Sequence, residues 1–202
     1  MFIAKTPAFV RFLMPSLLWR MPAHERVIYL TFDDGPIPEV TPWVLETLKH
    51  FDAKATFFCV GDNVVKHPEV FKKVLAAGHQ VGNHTFNHLN GWKNPTDAYL
   101  ENVDRCSQVL PGNLFRPPYG VLKPAQKNAL LPRYKIVMWD VLSGDFSNKL
   151  TPEMCFNHVV LNAEPGSIVL MHDSLKAEKN LRYVLPKTLE HFSRQGYRFE
   201  TL

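Results

Sequence analysis

This 202-residue chain has no apolar run near the roughly 20 residues that a membrane-spanning helix requires. Its most apolar stretch, Phe9 to Trp19, is broken by Arg11 and Pro15, so no transmembrane helix is expected. Cysteine is scarce: Cys59, Cys106 and Cys155 are scattered, odd in number and without C-x-x-C spacing. That argues against a disulfide framework, and the three read as small hydrophobes of a reducing compartment. No block of lysine and arginine is present. The 23 basic and 19 acidic residues are spread along the chain, and a net charge of +4 without clustering argues against a nucleic-acid partner. Internal repeats, low-complexity tracts and glycine-serine linkers are also missing, which leaves one domain with enough apolar residues, 46%, to bury a continuous core. No small-x-small cleavage site follows the apolar stretch before Val27, so no signal peptide is expected and the expected location is cytoplasmic. Docking of the N-terminal segment on a membrane surface or a partner stays open.

What is present begins with Val27-Ile28-Tyr29-Leu30-Thr31-Phe32, a strand-like run that delivers Asp33 and Asp34 into a Gly35-Pro36 turn. Further strands are expected at Thr56 to Val60, Gln80 to Gly82, Leu114 to Arg116, Tyr134 to Val141, Ser167 to Met171 and Tyr197 to Glu200. Helical patterns lie between them, at Thr41 to His50, Pro68 to Ala77, Thr96 to Leu110, Pro124 to Leu131, Thr151 to Leu161 and Asn180 to Gln195. Thr41-Pro42 and Thr151-Pro152-Glu153 supply start signals, and Gly78 and Gly196 supply stops. Strand and helix alternating with short loops means right-handed βα units, which suit either a barrel or an open doubly wound sheet. Polar residues decide between them. Asp33-Asp34, His84 with His88, Arg116, Asp145 and His172 each follow a different strand, and strand ends contributing one group apiece are barrel behaviour.

Chemistry concentrates at those ends. His84 and His88, four apart, are expected on one side of a helical turn, and with Asp34 they make an N,N,O set for a tetrahedral divalent metal with one open position. By themselves two histidines at this spacing are more often a surface or structural pair than metal ligands. Asp33 is left beside the metal, where a base is wanted. His172 ends another apolar strand, Ser167 to Met171, and in protonated form would serve as general acid. Arg116 is followed by Pro117-Pro118-Tyr119, a stiff loop whose N–H groups could act as oxyanion donors, with a surface salt bridge as the plainer role for the arginine.

Five motifs in order from Thr31 to His172 make the chain resemble the polysaccharide deacetylases, the NodB-homology carbohydrate esterases. They are Thr31-Phe32-Asp33-Asp34-Gly35, His84-Thr85-Phe86-Asn87-His88, Arg116-Pro117-Pro118-Tyr119, Leu142-Ser143-Gly144-Asp145-Phe146 and Ile168-Val169-Leu170-Met171-His172. The resemblance implies an α/β fold, a distorted (β/α)7 barrel over residues 27–202; the apolar character of residues 1–26 makes them an expected extension packing on it. The resemblance also implies a metal-dependent hydrolase that removes acetyl groups from an N-acetylated carbohydrate. Zinc is the expected ion, with cobalt or nickel possible. By the same resemblance Asp33 is the base, Asp34, His84 and His88 are the ligands, Arg116 holds the base, Tyr119 gives an oxyanion donor and His172 is the acid. Phe146 and Trp139 are candidate substrate contacts. The fourth motif departs from the common Asp-x-x-Asp-Trp, with Leu142 at the acid that usually tunes the histidine and Phe146 at the tryptophan. His172 is therefore expected to titrate near or below its ordinary value unless Asp140 or Asp173 replaces the missing carboxylate. An O-acetyl esterase and a catalytically weakened carbohydrate-binding barrel are the alternatives.

Overall fold

The computed structural model describes residues 3–202. Its centre is β1, Val27–Asp33, in which all seven residues are buried. A strand covered on both faces must be largely apolar, and before its last residue this one departs from that only at Thr31, whose hydroxyl is hydrogen-bonded to the Val169 carbonyl at 2.8 Å. It pairs in parallel with β2, Ala55–Cys59, on one side and β7, Ile168–His172, on the other. Outward from β2 come β3, Gln80–Asn83, β4, Leu114–Phe115, and β5, Lys135–Ile136; beyond β7 lies β6, Val141–Leu142. A short β8, Arg198–Phe199, pairs with the start of β1. All these pairings are parallel, so every strand ends on the same edge. The result is a curled sheet clothed by helices, the distorted (β/α)7 barrel that the motif resemblance implies.

The helices are α1, Ala8–Leu13, α2, Thr41–His50, α3, Gly61–Lys66, α4, Pro68–Ala76, α5, Thr96–Ser107, α6, Pro124–Leu130, α7, Pro152–Val160, and α8, Glu178–Ser193. Prolines at the first turn suit α2, α4, α6 and α7, and the Thr151 hydroxyl accepts from the Met154 N–H at 3.2 Å to cap α7. Leu45, Leu48, Val74, Leu181, Leu185 and Leu189 bury one face of α2, α4 and α8 against the sheet. Two helices were not expected from periodicity, α1 and α3, because each has only six residues. The three cysteines are free and buried.

The expected strand from Tyr134 to Val141 is two strands. Between them the backbone leaves the ladder because its carbonyls serve a side chain: Arg116 donates from Nε to the Val137 oxygen at 3.2 Å and from Nη2 to the Met138 oxygen at 2.9 Å. β5 and β6 thus terminate the sheet, and the N-terminal segment lies along the seam between them. Leu18 donates to Ile136 at 2.9 Å and accepts from Met138 at 2.7 Å, while Leu142 donates to Ala4 and Thr6 to Asp140. Leu17 and Trp19 bury into a cluster with Tyr99, Phe115, Ile136 and Met138. A clasp fastens the segment further on. Arg20 pairs with Glu164 and sits 3.4 Å from the fully buried Asp140, whose carboxylate also accepts from Ser167 and the Ile168 N–H.

Truncating Trp19 tests how much the seam contributes to folding. Trp19→Ala is expected to lower the unfolding free energy by about 3 kcal/mol or more, as large buried aromatics do. Urea unfolding followed by circular dichroism measures this, and a loss under about 1 kcal/mol would show that the segment only rests on the barrel.

Candidate active site

Register aligns the chemistry on the C-terminal edge. Asp33 is the last residue of β1 and pairs with His172, the last of β7. His84 and Arg116 follow β3 and β4, whose register pairs Asn83 with Phe115. Arg116 is fully buried and uses its guanidinium four ways. Besides the two carbonyls, Nη1 donates to the Thr31 hydroxyl and to Asp33 Oδ1, each at 2.8 Å. The Phe58 ring lies 4.1 Å below the guanidinium carbon, so the cation has a π face where water is excluded. The plainer alternative of a surface salt bridge for Arg116 is thus overturned. Asp33 is buried as well, with Oδ1 taken by Arg116 and Oδ2 3.7 Å from His84 Nε2.

Asp34, His84 and His88 each offer one donor atom, and these atoms lie within 4.8 Å of one another. Asp34 Oδ1 is 3.2 Å from His88 Nε2 and 3.9 Å from His84 Nε2. The set fits a divalent metal on chemical grounds. The His84 Nδ1 is 2.7 Å from the Arg116 carbonyl, which makes Nδ1 the protonated nitrogen and turns the Nε2 lone pair toward the aspartates. Burial pushes the His84 imidazole down to about 4, so the neutral, ligating form prevails at pH 7. Burial raises the Asp34 carboxyl, but the hydrogen bond with His88 and the imidazoles of His172 and His84 outweigh it and hold the group well below the usual carboxylate range.

The expected helical turn for the histidines is corrected. Residues 84–88 form no helix; Thr85 has φ 62° and His88 φ 54°, and this bend brings the ring centroids within 5.1 Å. Asp34 at φ 83° and Tyr119 at φ 60° are also left-handed, so four of the five such non-glycine residues among those described belong to this site. Strain of this kind persists where surrounding contacts fix it. The Tyr119 ring packs edge-on to His88 at 4.8 Å. Gly120 follows at φ +68°, where a Cβ would stand 2.6 Å from the Trp139 ring.

The expectation for His172 is overturned. Asp145 accepts from the His172 N–H at 2.8 Å through Oδ2 and meets Nδ1 at 2.9 Å through Oδ1. Burial lowers the imidazole, but Asp145, with smaller help from Asp34 and Asp33, raises it on balance to about 9. The carboxylate is supplied three residues beyond Leu142, because β6 lies next to β7 and the loop after β6 turns back over its end. Neither Asp140 nor Asp173 performs this task. Asp140 faces the N-terminal seam; Asp173 binds the Gly35 N–H at 3.1 Å and the Thr41 hydroxyl at 2.6 Å. Asp173 lies so close under the Asp34-Gly35 turn that a Cβ on Gly35 would be 2.0 Å from Oδ2.

Asp33, Asp34, His84, His88, Tyr119 and His172 all open into one cavity of about 540 Å³. Arg116 lies beneath it. Trp139 and Phe146, the expected substrate contacts, line the wall together with Leu142 and Leu170, and the Phe146 ring is 5.0 Å from that of His172. Sequence reasoning missed the pairing of Asp145 with His172 and the presence of Lys176 on the rim. The first was discoverable from strand adjacency; the second had no signal. A ligand set, a carboxylate with one oxygen facing the cavity and a protonated imidazole can together add water to a carbonyl and protonate its leaving group.

The comparisons agree with this chemistry. The polysaccharide deacetylase family profile matches residues 20–131. A peptidoglycan-N-acetylglucosamine deacetylase of Bacillus cereus is 40% identical over 198 residues, spanning 91% of this chain and 90% of its own. A chitooligosaccharide deacetylase of Azorhizobium caulinodans is 35% identical over 166 residues, 76% of this chain and 77% of its own. Among solved structures, a peptidoglycan N-acetylglucosamine deacetylase in complex with 4-naphthalen-1-yl-N-oxidanyl-benzamide superposes with TM-score 0.87 at 32% identity, covering 98% of this chain and 95% of that one. A carbohydrate esterase family 4 pseudoenzyme of Bacillus anthracis is similar too, at TM-score 0.78 and 26% identity over 91% of this chain and 66% of its own. This chain belongs to the polysaccharide deacetylase family.

The Asp145 contact makes a pH-dependent prediction. A histidine raised from 6.5 to about 9 adds stability that is full below 6.5 and is lost as pH rises through about 9. In metal-free Asp145→Asn, burial is opposed only by the smaller pull of Asp34 and Asp33, and the His172 midpoint is expected to fall well below 9 by NMR titration of the ring protons. The stability loss against wild type should then be largest below pH 6.5 and shrink toward pH 9. A midpoint still near 9 in the variant would place the raising charge elsewhere.

Proposed function

We propose that this protein removes the acetyl group from N-acetylglucosamine residues of a glycan, using a divalent metal held by Asp34, His84 and His88. The observation that carries the reading is Asp33 and His172 flanking the three-donor set in one cavity, each hydrogen-bonded to a buried partner. The related peptidoglycan and chitooligosaccharide deacetylases support the choice of sugar. Zinc suits two imidazoles and a carboxylate with a position left open, and cobalt or nickel would be accepted by the same donors. When bound, such an ion supplies Lewis-acid polarisation of the acetyl carbonyl and makes water at the site more acidic.

Asp33 takes the proton of the attacking water on Oδ2, since Oδ1 is engaged by Arg116. The backbone N–H of Tyr119 stabilises the developing oxyanion, its direction fixed by the left-handed turn. The apolar wall of Leu142, Trp139 and Leu170 receives the acetyl methyl. His172, protonated at neutral pH, donates to the departing nitrogen, and acetate and a free amino sugar result. An amine needs this proton more than an alkoxide does, which favours N-acetyl over O-acetyl substrates. Because a pseudoenzyme shares the fold, family membership alone does not supply turnover. The retained acid and base do.

Two measurements test the assignment. Asp33→Asn should keep zinc binding close to wild type while kcat on chitotetraose falls by about 10² to 10⁴, read as loss of one acetyl mass by mass spectrometry. Asp34→Asn should instead weaken zinc binding in calorimetry by more than the roughly 10- to 100-fold seen when a ligand merely loses its hydrogen-bond partner. Equal metal loss in both variants would merge the two roles, and full turnover by Asp33→Asn would remove the base.

A further inference from the structure

The ionisable groups lining the cavity have neighbours that engage them: Asp33 pairs with Arg116, Asp145 with His172, and Asp34 Oδ1 lies 3.2 Å from His88 Nε2. Lys176 lines the same cavity from the loop between β7 and α8, and among the described residues it has no acidic partner within 4.0 Å. Its ammonium stands 5.5 Å from the centroid of the Phe146 ring, whose edge meets His172. The loop that carries it is held: the Ala177 and Glu178 N–H groups both donate to the Ser174 carbonyl at 3.0 Å, and Ala177 is fully buried. An exposed cation with a fixed base, one aromatic ring away from the proposed proton donor, is placed to meet a group on the sugar next to the one being deacetylated.

Resting on the deacetylase reading, we propose that Lys176 recognises a carboxylate carried by the glycan strand on a substituent beside the reacting acetamide. A lactyl ether or a peptide stem puts such a group on a polysaccharide; plain chitin has none. Lysine is a compact point charge, and among the described residues no arginine or second lysine lines the cavity beside Lys176, so the site matches a singly charged carboxylate better than a dianionic phosphate. The contact is solvent-exposed, so its contribution is modest and salt-sensitive. It decides selectivity between glycans and leaves the chemical step to the residues below.

The test uses zinc-loaded protein and an N-acetylglucosamine oligosaccharide whose neighbouring sugar carries a lactyl ether, supplied as the free acid and as its neutral methyl amide, with chitotetraose as reference. Wild type is expected to favour the acid over the amide by roughly two- to fivefold in kcat/KM at low salt, the range of exposed ion pairs. That ratio should approach one near 1 M salt, where screening acts within about 3 Å. Lys176→Met should bring the ratio to about one, Lys176→Arg should keep it and Lys176→Glu should invert it. An equal rate on acid and amide by wild type, or a preference that survives in Lys176→Met, overturns the role of Lys176 while turnover of chitotetraose leaves the deacetylase reading standing. Acetyl release from none of the three substrates overturns both.

Discussion

The buried ion pair between Arg116 and Asp33 organises this molecule. The guanidinium binds a hydroxyl and a carboxylate of β1 and two carbonyls of the chain between β5 and β6, while its own backbone follows β4. One side chain therefore ties the centre of the sheet to its far end. A cation with no exposure is tolerable only when such donors are satisfied, and here five-donor geometry meets four acceptors and an aromatic face. Its removal would leave an unpaired carboxylate in the core as well as an open strand break. The carbonyl of the same residue also fixes the His84 tautomer, so the base and one metal donor share a single anchor.

Burial alone would drive every ionisable group at the strand ends toward neutrality. The structure separates them by giving each a different neighbour. His84 stays neutral because burial outweighs the aspartates and the carbonyl beside it, His172 receives a carboxylate and stays charged, and Asp34 faces imidazoles and stays ionised. Groups a few ångströms apart thus hold different protonation states at one pH, as acid-base chemistry on a weakly reactive amide requires.

The succession of strands along the chain, the edge on which the polar residues gather and the carboxylates and histidines facing the cavity are legible in the sequence, because a parallel strand ending on a charge announces both its burial and its polarity. Three things are not. The break between β5 and β6 is imposed by a side chain 21 residues earlier competing for carbonyls, which no local pattern records. The bend from His84 to His88 uses left-handed residues that are neither glycine nor asparagine, so its spacing imitates a helix. Motif position points to Leu142 for the partner of His172; Asp145 is visible in the sequence as a strand-end acid, and the pairing of β6 with β7 is what turns it toward the histidine.

The N-terminal segment along the seam shapes how the chain folds as it is made. Residues 4–21 leave a ribosome well before their hydrogen-bond partners at Ile136 through Gly166. Until most of the polypeptide has emerged, Leu17 and Trp19 have nowhere to go, and the two ends of the sheet have nothing between them. Contacts of such long sequence separation form late and slowly. The nascent barrel therefore passes through a stage with an open edge and a loose apolar tail, the combination that holdase chaperones recognise and that crowded, fast expression turns into aggregates.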